Sequence, residues 1–441
     1  MAHRASEIKR SQHRLLEIAL TLTIFSVSFG VFLDASQHGA QHSDEVQYIA
    51  TGRYFNYLFL NHDVDATVLQ HEIESAVWDD NYWTHTQPVL TRLIVGSWLW
   101  ISGYDPDALP GPYDREISQT LLHDARRPFV LLAAGTVTLM YALGRFLAGR
   151  LAGVAASALT IVNPLAQEHL VRVIPEAPLM FFILLGTLLA VIGAQQRQTG
   201  YVAFTWAIGS GCALGLALQS KLTALYSIAA VVIWGTIVVM TAWWPYRRDW
   251  RFGIAKAWTA GRGWAGIVII ALAVFVASNP HLYPDPLLHT EHLLRQRAKE
   301  MDGQTDEFSQ WAAGDLLVRT SYVVGGSLVI GNGLEYGDTD IWSGVPVGAL
   351  MAPIGALTLL HRSRRYWQHQ QALMMDGLVL VTTFVYFVGI TMSIHMYWPR
   401  YLVPTLMLGS VLGGIGVATT VGWMHAARDR VVATYRRTSQ P

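Results

Sequence analysis

The sequence predicts an all-α polytopic membrane protein, and three observations carry that expectation. Charged residues make up 14% of the chain and hydrophobic ones 52%, whereas soluble domains carry about 25% charged residues. Several apolar stretches approach the roughly 20 residues needed to cross a hydrocarbon core about 30 Å thick. Lipid offers no hydrogen-bond partners, so such stretches must satisfy their own backbone as helices, and the alternating pattern of a membrane barrel is absent. The same composition excludes other classes. Formal net charge is zero and no basic run with interleaved aromatics occurs, which argues against nucleic acid as a partner. The single cysteine, Cys212, lies in an apolar segment, so neither an intrachain disulfide nor a cysteine metal site is available.

Taken in order, the first apolar segment (15–33) follows Arg4, Lys9, Arg10 and Arg14 and lacks a small-x-small cleavage site. It reads as a retained anchor. Further spans are expected at 127–144, 150–166, 176–194, 202–219, 222–243, 264–279, 342–360, 376–394 and 401–423, about ten in all. The stretch QPVLTRLIVGSWLWISG, residues 87–103, covers only ~25 Å at about 1.5 Å per residue, short of the core. Charge decides its placement. With ten spans and a cytoplasmic N-terminus, the short basic segments all fall inside: Arg145 and Arg150; Arg247, Arg248, Arg251, Lys256 and Arg262; Arg362, Arg364 and Arg365; and Arg428, Arg430, Arg436 and Arg437. If 87–103 also spanned, all of these would move outside while the basic N-terminus stayed in. An interfacial helix on the outer leaflet is therefore expected. Two long outer loops result, about 34–126 and 280–341, holding 24 of the 31 acidic residues. No repeat, low-complexity tract or separate soluble unit appears, so 1–441 is expected to form one membrane domain in a plasma or inner membrane, with both termini cytoplasmic.

The acidic loops direct attention to one face. In HSDEVQYIATGRY, Asp44 and Glu45 open a helical pattern just beyond the first span, with Ser43 as the expected N-cap. Adjacent helical residues point about 100° apart, so the two carboxylates are suited to separate tasks; two solvated acids at a helix start would show the same pattern. In EHLVRVIPEAPLMFF, Arg172 and Glu176 lie at the outer end of the third and fourth spans. Charges at membrane depth are costly and mark function or pairing; a simple Arg172–Glu176 pair is the plainer reading, although Pro175 breaks the register. Lys221 sits where two spans meet on the same face, and snorkelling accounts for it equally well. Arg400 begins the last span, flanked by Tyr397, Trp398 and Tyr401. Carboxylates and cations on one face suit attack of a hydroxyl on a sugar carried by an anionic leaving group. A carboxylate accepts the proton, and Lys or Arg stabilises charge growing on the departing phosphate. The same residues would also suit a transport pathway.

The segments DEVQYIATGRY, HTQPVLTRLIVGSWLWISGYD, RRPFVLLAAGTVTLMYALGRFLAGRLAGVAASALTIVNPLAQEHLVRVIPEAPLMFF, GLALQSKLTALY and RYLVPTL resemble, in this order, GT-C glycosyltransferases. The branch indicated contains protein O-mannosyltransferases and lipid A aminoarabinose transferases. The resemblance implies a GT-C-like bundle with interfacial helices in the first outer loop. It implies a polyprenyl-phosphate sugar donor, and transfer on the non-cytoplasmic face with inversion to an acceptor hydroxyl on a protein, lipid or glycan. Asp44 corresponds to the base, Glu45 to its acidic neighbour, and Arg172 and Glu176 to the arginine and later acid of the family. Lys221, Arg172 and Arg400 would then hold the donor phosphate, with Tyr48, His85, His281 and Tyr401 as further substrate contacts; in NPHLYPDPLLH, His281, Tyr283 and Asp285 would line the acceptor site, and a Pro-rich turn leaving a span accounts for the segment equally well. The chain departs from the mannosyltransferase pattern at His85-Thr86-Gln87-Pro88-Val89, where His-Pro-Pro-Leu is usual, and at Glu176, where Asp is common. It also lacks the carbohydrate-binding repeats of eukaryotic members, so the sugar and the acceptor stay open. A divalent metal is compatible with His85, Glu45, Glu176 and His281, but no ligand spacing selects one. A lipid or glycan transporter is the alternative from another class, against which stands the lack of clear inverted repeats.

Overall fold

The computed structural model describes residues 2–63, 87–111, 114, 116–195, 202–283, 285–330, 344–370 and 376–438. His85 lies outside them. Among the described residues the chain is helical, and extended pairing is limited to two isolated bridges, Ala312 with Met396 and Ile330 with Val345.

Helix α1 (Ala2–His38) is followed by the short α2 (Ser43–Ala50) and by α3 (Leu90–Ile101). The bundle continues through α4 (Gln119–Ala148), α5 (Arg150–Ile161), α6 (Pro164–His169), α7 (Glu176–Gln195), α8 (Phe204–Ser220), α9 (Leu225–Trp243) and α10 (Trp250–Ala277). After them come α11 (Pro286–Glu307), α12 (Leu316–Leu328), α13 (Val347–Gln370), α14 (Asp376–Ser393) and α15 (Val403–Thr438). Among the described residues, seven segments are long and apolar enough to cross a membrane: Gln12–His38, Gln119–Ala148, Glu176–Gln195, Leu222–Tyr246, Trp250–Ala277, Asp376–Ser393 and Pro399–Tyr435.

The three remaining expected spans are also helical, with differences that have local causes. The stretch 150–166 breaks after Ile161, because Asn163 caps a new helix, accepting from Leu165 N at 2.9 Å, and Pro164 takes its first position. The 202–219 stretch is α8, whose 17 residues reach about 26 Å. The 342–360 stretch is helical from Val347 and runs on to Gln370. The 87–103 segment forms α3, at 12 residues about 18 Å long and too short to span. It packs on the 3-10 turn Thr51–Arg53, on α2 and on α4. Within the second acidic loop, the apolar residues Tyr322 and Val323 of α12 are buried against α15 and α14, so they join the bundle core.

Helix α15 is the centre of the packing. It contacts α13 on one side and α5 on another, while α1, α4, α7, α8, α10 and α9 follow one another as neighbours. Residues Val403–Gly416 are buried throughout. Small residues let the backbones approach: a Cβ added at Gly416 would fall onto the Met351 carbonyl of α13, and one at Gly414 onto the Ala152 carbonyl of α5. Without a hydrophobic drive between helices in lipid, such close packing supplies much of the association.

The two ends of the bundle differ in chemistry. At one end Glu17 pairs with Arg145 and Arg150 and accepts from Tyr141 Oη at 3.0 Å. There Arg362 donates to the Leu147 carbonyl at 2.7 Å and lies 3.3 Å from Asp376. Three of the basic residues that the charge rule puts on one side, Arg145, Arg150 and Arg362, thus lie at one end of the bundle. Asp44, Arg172, Glu176, Lys221 and Arg400 lie at the opposite end.

Candidate active site

Short helix α2 carries the first two acids, and its start is built by His42 rather than Ser43. His42 is the N-cap: Asp44 N donates to His42 Nδ1 at 3.1 Å, while His42 N donates to Glu45 Oε2 at 3.0 Å. The reciprocal pair satisfies two donors that a helix start leaves unpaired. Ser43 is the first helical residue instead.

Glu45 is fully buried. Arg126 of α4, also fully buried, grips it with two bonds, Nε to Oε1 at 2.8 Å and Nη2 to Oε2 at 2.6 Å. Arg126 further donates to the carbonyls of Ser36, Gly39 and Ala40, at 2.8, 2.8 and 2.9 Å. Val173 N donates to Glu45 Oε1 at 3.0 Å. This one ion pair therefore ties the end of α1, the start of α2, α4 and the loop before α7 into a single rigid corner. A charge buried at this depth needs such a full set of partners.

Asp44 points its carboxylate to Arg400, which donates to Oδ2. Arg400 sits in the turn Pro399–Leu402 that opens α15, its guanidinium 4.7 Å above the Trp398 ring and 5.7 Å from that of Tyr401. That turn is fixed from behind: Tyr397 N donates to the Trp311 carbonyl at 3.0 Å, Ala313 N to the His395 carbonyl at 2.8 Å, and Gly314 N to Tyr397 Oη at 2.8 Å. The second cation, Lys221, follows α8 in extended conformation and donates to Glu176 Oε1 at 2.6 Å. Its ammonium also lies 4.7 Å over the Tyr401 ring. Glu176 is 1% exposed, and its Oε2 has no hydrogen-bond partner among the described residues. The simple Arg172–Glu176 pair that four-residue spacing suggests does not form. Arg172 instead pairs with Glu168 at 2.9 Å, helix α6 having ended at His169 so that Arg172 and Glu176 share no helical register, and Glu176 turns to Lys221.

Electrostatics link these groups into one cluster. Burial would raise the Asp44 carboxyl, but Arg400 above all, then His42 and Lys221, outweigh it and hold it below the usual carboxylate range. Burial and the nearby Arg400 and Arg172 push His42 down against the pull of Asp44. His169, 3% exposed at the end of α6, is driven well below its ordinary value by burial and by Arg172, Arg400, His42 and Lys221. The Tyr48 phenol is pushed up, first by burial and then by Asp44 and Glu176. Asp44 is thus an anion at neutral pH, and the two imidazoles beside it are neutral.

A cavity of about 300 Å³ opens beside this cluster. Lys221 and Tyr401 line it, together with Gln87, Arg297, Met301 and His395, and the rest of its wall is largely apolar residues of α9, α11 and α14. Tyr48 Oη donates to the Gln87 side chain, and the buried Arg92 fixes that strand of chain through Thr51 Oγ1 and the Gln87 carbonyl, each at 3.1 Å. A wall of apolar groups with cations at one end fits a molecule with a hydrocarbon part and a phosphate.

The sequence-derived set Asp44, Tyr48, Arg172, Glu176, Lys221, Arg400 and Tyr401 comes together here. Glu45 is adjacent but enclosed by Arg126. His281 is fully buried in the turn Pro280–Leu282 after α10 and does not line the cavity. Sequence reasoning missed Arg126, Arg297, Gln87, His42 and His169. Arg126 carried a usable signal, an arginine at the mouth of an apolar segment. Arg297, in the polar helix α11, carried none. Among the described residues no three His, Cys, Asp or Glu side chains gather to hold a metal ion.

A family model described as dolichyl-phosphate-mannose-protein mannosyltransferase matches residues 48–280. No curated protein matches. Among solved structures, the chain is similar to ArnT from Cupriavidus metallidurans bound to undecaprenyl phosphate, with 12% identity over 92% of this chain and 60% of that one, TM-score 0.48. It is similar to the archaeal oligosaccharyltransferase AglB from Archaeoglobus fulgidus in complex with an inhibitory peptide and a dolichol-phosphate, with 12% identity over 95% and 52%, TM-score 0.49. The S. cerevisiae Pmt1-Pmt2 complex bound to the sugar donor matches at 16% identity over 62% and 34%, TM-score 0.41. The chain thus spans 60% of the length of ArnT and about half that of AglB. The matched segment runs from the first residues after Asp44 through α10 and covers more than half of the chain, so this protein belongs to the dolichyl-phosphate-mannose-protein mannosyltransferase family.

Proposed function

We propose that the protein moves a sugar from a polyprenyl-phosphate donor to an acceptor hydroxyl, on a protein, lipid or glycan, at the Asp44 end of the bundle. The observation that carries this reading is the convergence of Asp44, Arg400, Lys221 and Glu176 beside one apolar-walled cavity, from four separate parts of the chain. Family membership supports the same class of donor.

In this reading the polyprenyl chain lies against the apolar walls of α9, α11 and α14, and the phosphate meets Lys221, Arg400 and Arg172. Asp44 accepts the proton of the acceptor hydroxyl as that oxygen bonds to the anomeric carbon. The bond from that carbon to the phosphate oxygen breaks, its electron pair leaves on the phosphate, and attack from the opposite face inverts the centre. A carboxylate held below its usual range is a weak base. Arg400 drawn toward the phosphate would remove its main restraint, so donor binding itself strengthens the base. Glu45 orders the site through Arg126, Glu176 fixes Lys221, and α11 covers the cavity from the acceptor side through Arg297 and Met301. Metal is not assigned a step. The gathering of Arg145, Arg150 and Arg362 at the other end supports placing that end and both termini in the cytoplasm, and the whole chain as one membrane unit.

The test is transfer from radiolabelled polyprenyl-phosphate sugar in membranes carrying the protein. Asp44→Asn should leave expression intact and lower transfer about 10²–10⁴-fold, the usual worth of a general base. Near-normal transfer by that variant sinks the assignment.

A further inference from the structure

A second, larger recess of about 560 Å³ lies on the outside of the bundle between α9 and α10. Helix α9 begins just after Lys221, so the recess, lined by its later residues and by the earlier part of α10, belongs to the half of the bundle away from Asp44. Its walls are apolar, among them Val232, Val239, Ile254 and Ala265, with one charged exception, Arg262.

Arg262 is the cation that lines the recess, and most of the other cations of this region are covered by rings. Arg247 lies 4.9 Å over the Trp244 ring, Arg251 5.6 Å over Trp250, and Lys256 5.2 Å over Phe252. Those rings are where a membrane interface expects aromatic anchors. Arg262 is exposed and has no hydrogen bond, ion pair or ring partner among the described residues. Its neighbour Gly261 packs on Val239, about one helical turn, ~5 Å, inside Trp243. Helix α10 runs from Trp250 to Ala277 through the expected start of the span at 264, and a guanidinium at this level reaches the headgroup zone along its own stem. The anion available to a lipid-facing recess, and carrying hydrocarbon to fill apolar walls, is a lipid phosphate. Trp258, 68% exposed at the same mouth, offers an amphipathic ring at headgroup level.

We propose that this recess binds one anionic phospholipid, its phosphate on Arg262 and an acyl chain along the seam of α9 and α10. The site rests on the membrane placement of the helices and is independent of the sugar-transfer reading.

The experiment counts lipids retained by the purified full chain, using native mass spectrometry after titration with phosphatidylglycerol or phosphatidylcholine. One phosphatidylglycerol per chain should be held, with about five- to tenfold weaker retention of phosphatidylcholine and a similar loss in Arg262→Gln. Arg262→Lys should keep part of the affinity. Ala265→Leu, at an exposed position of the wall, fills the recess without touching the charge and should weaken retention as well. Sugar transfer should be unchanged in these variants. Equal retention of both lipids, or wild-type retention in Arg262→Gln and Ala265→Leu, overturns the proposal. So does a dimer whose cross-links run through Trp258, since a second copy would then cover the recess.

Discussion

Asp44 and Glu45 are neighbours with opposite surroundings, and their substitutions should separate activity from stability. Asp44 keeps 26% of its side-chain surface, with Arg400 as its ion-pair partner and His42 3.7 Å away, so its loss should cut transfer about 10²–10⁴-fold and leave the fold intact. Glu45 has no exposed surface and is gripped by Arg126. Arg126→Met strands that carboxylate, and breaking a buried pair from one side costs about 3–5 kcal/mol. We expect a large drop in thermal unfolding temperature in detergent; an unchanged melting curve would remove Arg126 from its organising role. Adding Glu45→Leu should recover only part of the loss, because His42 N and Val173 N lose their acceptor too. The imidazoles set a pH dependence. His42 and His169 have folded values below the unfolded one of about 6.5. The unfolded chain therefore binds more protons as pH falls below that value, and stability declines with acidification. Asp44 works at lower pH: its stabilising contribution is complete above the unfolded value of about 3.9 and is lost as pH falls through the depressed folded one. Unfolding temperatures between pH 8 and 5 should fall for the wild type and fall less for His169→Leu. Equal slopes would show that His169 does not titrate in this way.

Among the elements, α15 carries the strongest demand on residue size. Gly416 and Gly414 bring its backbone against α13 and α5, and overpacking a tight contact costs about 1–3 kcal/mol. Gly416→Leu should lower the unfolding temperature and, by shifting the start of α15, reduce transfer through Arg400. Full stability in that variant would mean the helices part easily. Element α2 shows what spacing conveyed and what it did not. The helix start after the first span was legible from Ser43-Asp44-Glu45, since acids favour a first turn, but His42 as cap was not, because imidazole is an unusual cap and its role needs the Glu45 reciprocal bond. The break at Asn163-Pro164 was likewise written in the sequence, as a capping residue before proline, inside a run whose hydropathy alone reads as continuous. The 87–103 helix was legible because its length fell short of a span.

For the whole molecule, most of the architecture followed from hydropathy, since lipid permits few alternatives to a helix. Three of the arginines that the charge rule puts on one side, Arg145, Arg150 and Arg362, lie at one end of the bundle. The partners within the site did not follow, because pairing across distances such as Asp44 to Arg400 or Glu45 to Arg126 depends on packing that no local pattern records. Arg172 illustrates the limit, its four-residue partner Glu176 being claimed by Lys221 from another helix. In the proposed function these groups bind and cleave a polyprenyl-phosphate sugar at the Asp44 end. The decisive experiment follows donor binding and release of free polyprenyl phosphate by the purified protein in nanodiscs, with water taking the sugar in place of the acceptor. The wild type should bind and release; Asp44→Asn should bind with similar affinity yet release about 10²–10⁴-fold more slowly; Lys221→Ala should bind more weakly. Undiminished release by Asp44→Asn, or no donor binding by the wild type, would overturn the proposed function.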